Sequence, residues 1–147
     1  MKYSERLKQA APKLVAHPVC MSDVPGLFEE GEEPVFYVAS LTALEKDAMD
    51  NALVAHQERN GLTDAERSEI YRTFCVAYCL CDKDNEREEL SVQKLDALVD
   101  MIGQLGNQHV RRLWNCVNMA NSILGVEDDL QKKFEAQKAS TGDGSGE

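Results

Sequence analysis

Apolar residues recur along this chain at two spacings, and the change between them divides it. From Thr42 to Leu124 the spacing is close to the 3.6-residue helical period, and four helices follow from it. The first spans Thr42–Arg59. Leu41, Leu44, Ala48, Ala52 and Leu53 mark its apolar stripe, Thr42-Ala43-Leu44-Glu45 is a capping box, and Asn60-Gly61 is a stop. The second spans Asp64–Cys81 and opens on another capping box, Thr63-Asp64-Ala65-Glu66. Ile70, Phe74, Ala77 and Cys81 share one of its faces, while Cys75, Val76, Cys79 and Leu80 cover most of the others. A helix apolar all round is buried on several sides, so this one should be central. The third, Ser91–Ile102, has Ser91 as N-cap and a single stripe of Val92, Leu95, Leu98, Val99 and Ile102. The fourth, Gln108–Leu124, repeats Val110, Leu113, Trp114, Val117, Ala120, Ile123 and Leu124 and stops at Gly125.

The flanks are weaker. Residues 1–15 mix charge with Leu7, Leu14 and Val15 and predict a short, loosely held helix. Between about 17 and 40, two β-favouring stretches, at His17–Val24 and Val35–Val38, flank a loop with Gly and Pro, which predicts a hairpin or ribbon. Such a ribbon is marginal alone and must pack on the helices. At Glu127–Lys138 an acidic start and Lys132-Lys133 suit the helix dipole, but the only strong apolar pair is Leu130 and Phe134. The stretch 139–147 should be a disordered tail. The expectation is one mainly α (α+β) domain over 1–138, with four to five helices around a central buried one and a small N-terminal β-ribbon.

Composition narrows the function. The 147 residues carry a formal net charge of -10, and the basic doublets Arg111-Arg112 and Lys132-Lys133 make no phosphate-neutralising face. Nucleic acid and anionic membrane are therefore poor partners. No apolar run reaches the ~20 residues of a membrane span, and the N-terminus lacks the apolar region of a secretory signal. Five cysteines without such a signal read as reduced, buried thiols in a cytoplasmic protein.

Two stretches invite metal chemistry. Cys75 and Cys79 share a helical face, but Cys81 lies about 160° round from Cys79, and no second close-spaced pair accompanies them. Taking Asp82 as the first position of a calcium loop puts Arg87 where Gly is needed and Gln93 where the bidentate acid belongs. Core thiols and a solvated turn explain both stretches better. His17, His56 and His109 are scattered, and no nucleophile pattern or phosphate-binding glycine loop occurs. Neither an enzyme nor a cofactor is expected. Trp114 lies on an apolar stripe, as core or as a partner hot spot.

Three blocks carry a resemblance. They are Val35–Glu45, where a strand enters a capped helix; Ala77–Leu90, where a buried helix ends in Cys-Asp and an acidic turn; and Val110–Gly125, with Arg112-Leu113-Trp114 and then Asn121-Ser122-Ile123-Leu124-Gly125. In order, spacing and size the chain resembles the tail assembly chaperones of long-tailed, non-contractile double-stranded DNA phages. Asn85 stands where Gly is commoner, a difference that Asn's tolerance of left-handed backbone should make small.

The resemblance implies a non-enzymatic protein of the host bacterial cytoplasm, absent from the mature virion. It would hold the tape measure protein soluble and assist polymerisation of the major tail (tube) protein, which a frameshifted longer form would contact. A homo-oligomer around a long partner fits this role. The alternative is another small phage or bacterial interaction protein, such as a tail-completion or neck component. The expected partner-binding residues are Phe36 on the ribbon and Leu130 and Phe134 on the last helix, the apolar residues the main core needs least. If this is the short form, a slippery seven-nucleotide run is expected near the Lys132-Lys133-Phe134 codons. Reading the gene checks this, and no such run across codons 125–147 would rule the arrangement out.

Overall fold

The computed structural model describes residues 1–10 and 14–122. Its organising element is α3 (Asp64–Cys79), which contacts α2 (Ala43–Arg59), α4 (Val92–Gly103) and α5 (Asn107–Asn121). Phe74, Cys75, Val76, Ala77 and Cys79 of α3 are all buried, as the all-round apolar pattern predicts. They meet Met49 and Leu53 of α2, Val99 and Ile102 of α4, and Leu113, Trp114 and Val117 of α5 in one core. Trp114 is thus a core residue, its ring edge against Tyr71 at 5.7 Å. Burial pushes the Cys75 and Cys79 thiols up to about 12, so both pack as neutral hydrophobes.

Both predicted capping boxes form. Thr42 Oγ1 accepts from Glu45 N at 3.1 Å and Glu45 Oε1 from Thr42 N at 2.9 Å; Thr63 and Glu66 repeat the exchange at 3.1 and 3.0 Å. Ser91 caps α4, and Gly61 takes the left-handed φ of 62° that ends α2. A further helix, α1 (Tyr3–Ala10), buries no residue. No described helix is long and apolar enough to cross a membrane. The Glu127–Lys138 pattern with Leu130 and Phe134, Gly125 and the 139–147 tail lie outside the described residues.

The ribbon is an antiparallel pair, β1 (His17–Cys20) and β2 (Val35–Val38), with Val19 opposite Phe36 and His17 opposite Val38. It gains a third strand that periodicity hid. The second predicted helix ends at Cys79 rather than Cys81, and Leu80–Cys81 extend as β3 beside β2. Pairing to the free edge of β2 outweighs the last half-turn of helix. Two other expectations are corrected. On α2, Leu44 is 82% exposed and Ala48 is exposed, while the buried face is Met49, Leu53 and His56. Leu44 lies about 140° round the helix from Met49, on the solvent side. The last described helix ends at Asn121, with Ser122 left-handed at φ 50°, before the expected stop at Gly125.

Between β2 and α2 the chain crosses the core as Ala39-Ser40-Leu41, with Ala39 and Ser40 buried. A buried extended segment outside a sheet needs partners for its peptide groups. Ala39 N donates to Cys79 O at 2.8 Å. Asn85 Oδ1 accepts from Ser40 N at 2.8 Å, and its Nδ2 donates to Ser40 O at 3.0 Å. Asn121 Oδ1 accepts from Leu41 N at 2.7 Å, and its Nδ2 donates to Ala39 O at 3.0 Å. Asn85 is indeed left-handed, at φ 65°. A glycine would fit that backbone yet supply neither bond, so the Asn is not a neutral replacement.

Asn85→Gly keeps the turn and deletes the clamp. It should lower stability by about 1–3 kcal/mol, the cost of leaving buried peptide groups unpaired. Urea unfolding should show a lower midpoint at unchanged slope, and Lys83→Ala in the same turn should leave the midpoint in place.

Candidate partner-binding site

Along the open edge of β1 the outer face of α5 forms one wall of a groove of about 500 Å3. Arg112, Asn115, Cys116, Met119 and Ala120 line it at helical spacing, while Leu113, Trp114 and Val117 turn to the core. The strand supplies the other wall through His17, Pro18, Val19 and Cys20. Met119 is 81% exposed, which leaves a large thioether uncovered beside the groove.

Arg112 holds the two walls together. Its Nη1 and Nη2 donate to Asp23 Oδ1 and Oδ2 at 2.8 and 2.7 Å, and Nη1 also donates to Cys20 O at 2.8 Å. That guanidinium keeps the Asp23 carboxyl at about 2, well below its usual value. His109, buried one turn earlier, places Nδ1 3.6 Å from Asp23. The bond from Met21 N to Pro34 O, 2.9 Å, shows which way the strand faces: Pro18 and Cys20 present their backbone to the open side. Pro18 has no N–H and the Cys20 carbonyl is occupied, so the edge is blunted against strand addition.

The same spacing recurs between α2 and α4. Arg59 donates to Asp96 through Nε at 3.0 Å and Nη2 at 2.6 Å, and buried His56 donates from Nδ1 at 2.7 Å. Arg59, then His56, hold the Asp96 carboxyl at about 2. In both places a helix offers His and Arg three residues apart to one aspartate on another element. Sequence reasoning missed both, because the aspartates lie 40 and 86 positions away from the histidines. The His-x-x-Arg spacing itself was the available signal.

The cysteines fall into two groups. Cys75 and Cys79 are core thiols, but Cys20 is exposed and Cys81 and Cys116 are half-buried, so the all-buried expectation fails for these three. Their elements are a ribbon edge, a short strand and the outer face of α5, which the core covers only in part or not at all. A hydrogen bond with Ser22 lowers the Cys20 thiol. Asp82 Oδ1 accepts from Asp84 N and Glu86 N at 2.8 and 3.1 Å, so this acid folds its own turn, as Asx residues do. Among the described residues no group of three or more His, Cys, Asp or Glu could hold a metal ion.

Of the three expected contact residues, Phe36 is half-buried on the core-facing side of the ribbon beside Val19, its ring edge 5.5 Å from Phe28, and it does not line the groove. Leu130 and Phe134 lie outside the described residues. The place of Met119 on the groove wall was not legible in the sequence, because it stands off the core stripe, where a lone exposed apolar residue carries no periodic signal. No family model, curated protein or solved structure matches the chain.

Both aspartate clamps stabilise the fold above the unfolded carboxyl value of 3.8, and their contribution is lost as pH falls through about 2. Asp96→Asn should lower stability at neutral pH and flatten the loss between pH 3.8 and 2. Urea unfolding across that range checks it, and an unchanged acid limb would show that Asp96 does not drive it.

Proposed function

We propose that the chain is a tail assembly chaperone of a long-tailed, non-contractile phage. It binds the tape measure protein, keeps it soluble in the infected cell, and assists tube polymerisation, leaving before the virion is complete. The observation that carries this reading is the groove between β1 and the outer face of α5. Among the described residues it is an uncovered, largely apolar surface, on a chain of net charge -10. An apolar groove suits the hydrophobic face of a helix from a long partner, and the charge keeps the complex dispersed. The groove ends at Met119 and Ala120, and the chain then runs on to the stretch bearing Leu130 and Phe134. Leu130 and Phe134 are the further contact residues the sequence offers, and a frameshifted extension past them adds the contact with the tube protein.

Co-expression with the tape measure protein of the same genome tests the reading. Soluble co-purification is expected, together with absence of the chain from purified particles. A partner that stays insoluble would overturn the proposal, and recovery of the chain in particles would favour a tail-completion or neck component instead. Leu130→Ser with Phe134→Ser should weaken capture. So should Met119→Glu, which adds a charge at an exposed position and should move stability by no more than about 0.5 kcal/mol. A large fall in the thermal midpoint of the double variant would place Leu130 and Phe134 in the core.

A further inference from the structure

Helix α1 carries an apolar face that no described part of its own chain covers. Tyr3 and Leu7, one turn apart, are 84% and 69% exposed, and no residue of α1 is buried. At about 100° per residue Ala10 continues their stripe, Arg6 flanks it and Glu5 falls opposite. Helices shorter than about 12–15 residues are marginal in water by themselves, so one of eight needs a surface to pack on. The segment is also basic on an acidic chain. Before Leu14 it carries Lys2, Arg6, Lys8 and Lys13 against Glu5 alone, although the net charge of the whole is -10.

A surface of matching character lies at the other edge of the sheet from β1. A concavity of about 500 Å3 opens between the end of α3, residues 87–90 and α4. Leu90, Leu95 and Leu98, all half-buried, give it an apolar wall, and Glu88 and Glu89 stand exposed on its rim. A second depression adjoins it through Leu80, Arg87 and Glu88 and adds Asp82 and Glu86. Among the described residues Arg87 is the one cation lining the pair, and its guanidinium is engaged. It stacks 3.9 Å over the Tyr78 ring and donates to the Tyr78 carbonyl at 3.0 Å. The groove beside β1 is the poorer match for a basic helix, because Arg112 and His17 line it and no described acid does.

We propose that α1 of one copy docks in the acidic groove of a second copy. Tyr3 and Leu7 rest on Leu90, Leu95 and Leu98, and Lys2, Arg6 and Lys8 lie against Glu86, Glu88 and Glu89. The apolar contact holds the helix. The charges select its place, since two acidic chains repel wherever like charges meet. One arm of eight residues is smaller than a standard interface, so the association is weak and depends on concentration. None of this requires the chaperone reading.

Sedimentation velocity on the full chain, from micromolar to millimolar concentration, tests the docking. Wild type should pass from monomer to larger species as concentration rises. Glu88→Lys with Glu89→Lys should weaken that association at least about tenfold, and so should removal of residues 1–10. The altered groups are exposed and α1 buries nothing, so the urea midpoint should stay in place for both. A chain with Lys2→Glu, Arg6→Glu and Lys8→Glu, mixed with the Glu88→Lys, Glu89→Lys chain, should regain the association that is weak in either alone. A folding defect would not produce that recovery. Wild type that stays monomeric throughout overturns the inference. So does full association without residues 1–10, or a mixture that recovers nothing.

Discussion

The fold depends on how three peptide units cross its core. Ala39, Ser40 and Leu41 carry the chain from the ribbon to the first long helix, the first two buried and Leu41 half-buried, with no strand beside them for most of their length. Polar backbone in such a place is tolerable only when every group has a partner. Asn85 and Asn121 provide most of those partners, one from an acidic turn and one from the last turn of α5. A primary amide suits the task, because it offers an acceptor and a donor side by side: Asn85 takes the N–H and C=O of Ser40, and Asn121 the C=O of Ala39 and the N–H of Leu41. The ribbon, the turn after α3 and the end of α5 meet at this crossing. None of them can shift without breaking a bond there.

Much of the helical architecture was legible in the sequence. The capping boxes at Thr42 and Thr63, the N-cap at Ser91 and the stop at Gly61 are local devices, and all four form. The all-apolar pattern of α3 announced its central position. What stayed hidden depends on partners distant in sequence. Leu80 and Cys81 read as helix because helical period continues through them, yet the vacant edge of β2 draws them into a strand. Leu44 was counted into an apolar stripe by spacing alone, but the surface it would cover faces solvent. The roles of Asn85 and Asn121 could not be read, since a side-chain amide gives no periodic signal.

The candidate site divides in the same way. The ribbon and the helix after Gly106 were both expected, but their apposition was not, because it depends on Arg112 reaching Asp23 and the Cys20 carbonyl across 89 and 92 positions. Phe36 looked available from the sequence because the main helical core had least need of it. Its register opposite Val19 instead turns it toward the core margin and Phe28. Among the described residues the outer face of α5 is left uncovered, and of the residues lining the groove there only Ala120 belongs to the predicted stripe. One face of this helix is thus closed by its own protein, and the other, which mixes Cys116, Met119 and Ala120 with Arg112 and Asn115, is open among the described residues.

The blunted edge of β1 has a consequence for anything held beside it. Recognition by an added strand would set a fixed alignment, since each main-chain bond pairs one residue with one other. With a proline and a capped carbonyl on that edge, contact there falls to side chains, which grip by shape and apolar character. Such a grip does not dictate which residue of a long helix lies opposite which residue of the groove. A client of the kind proposed would therefore be held at many positions along its length and would move from one to the next without a ladder of bonds having to break.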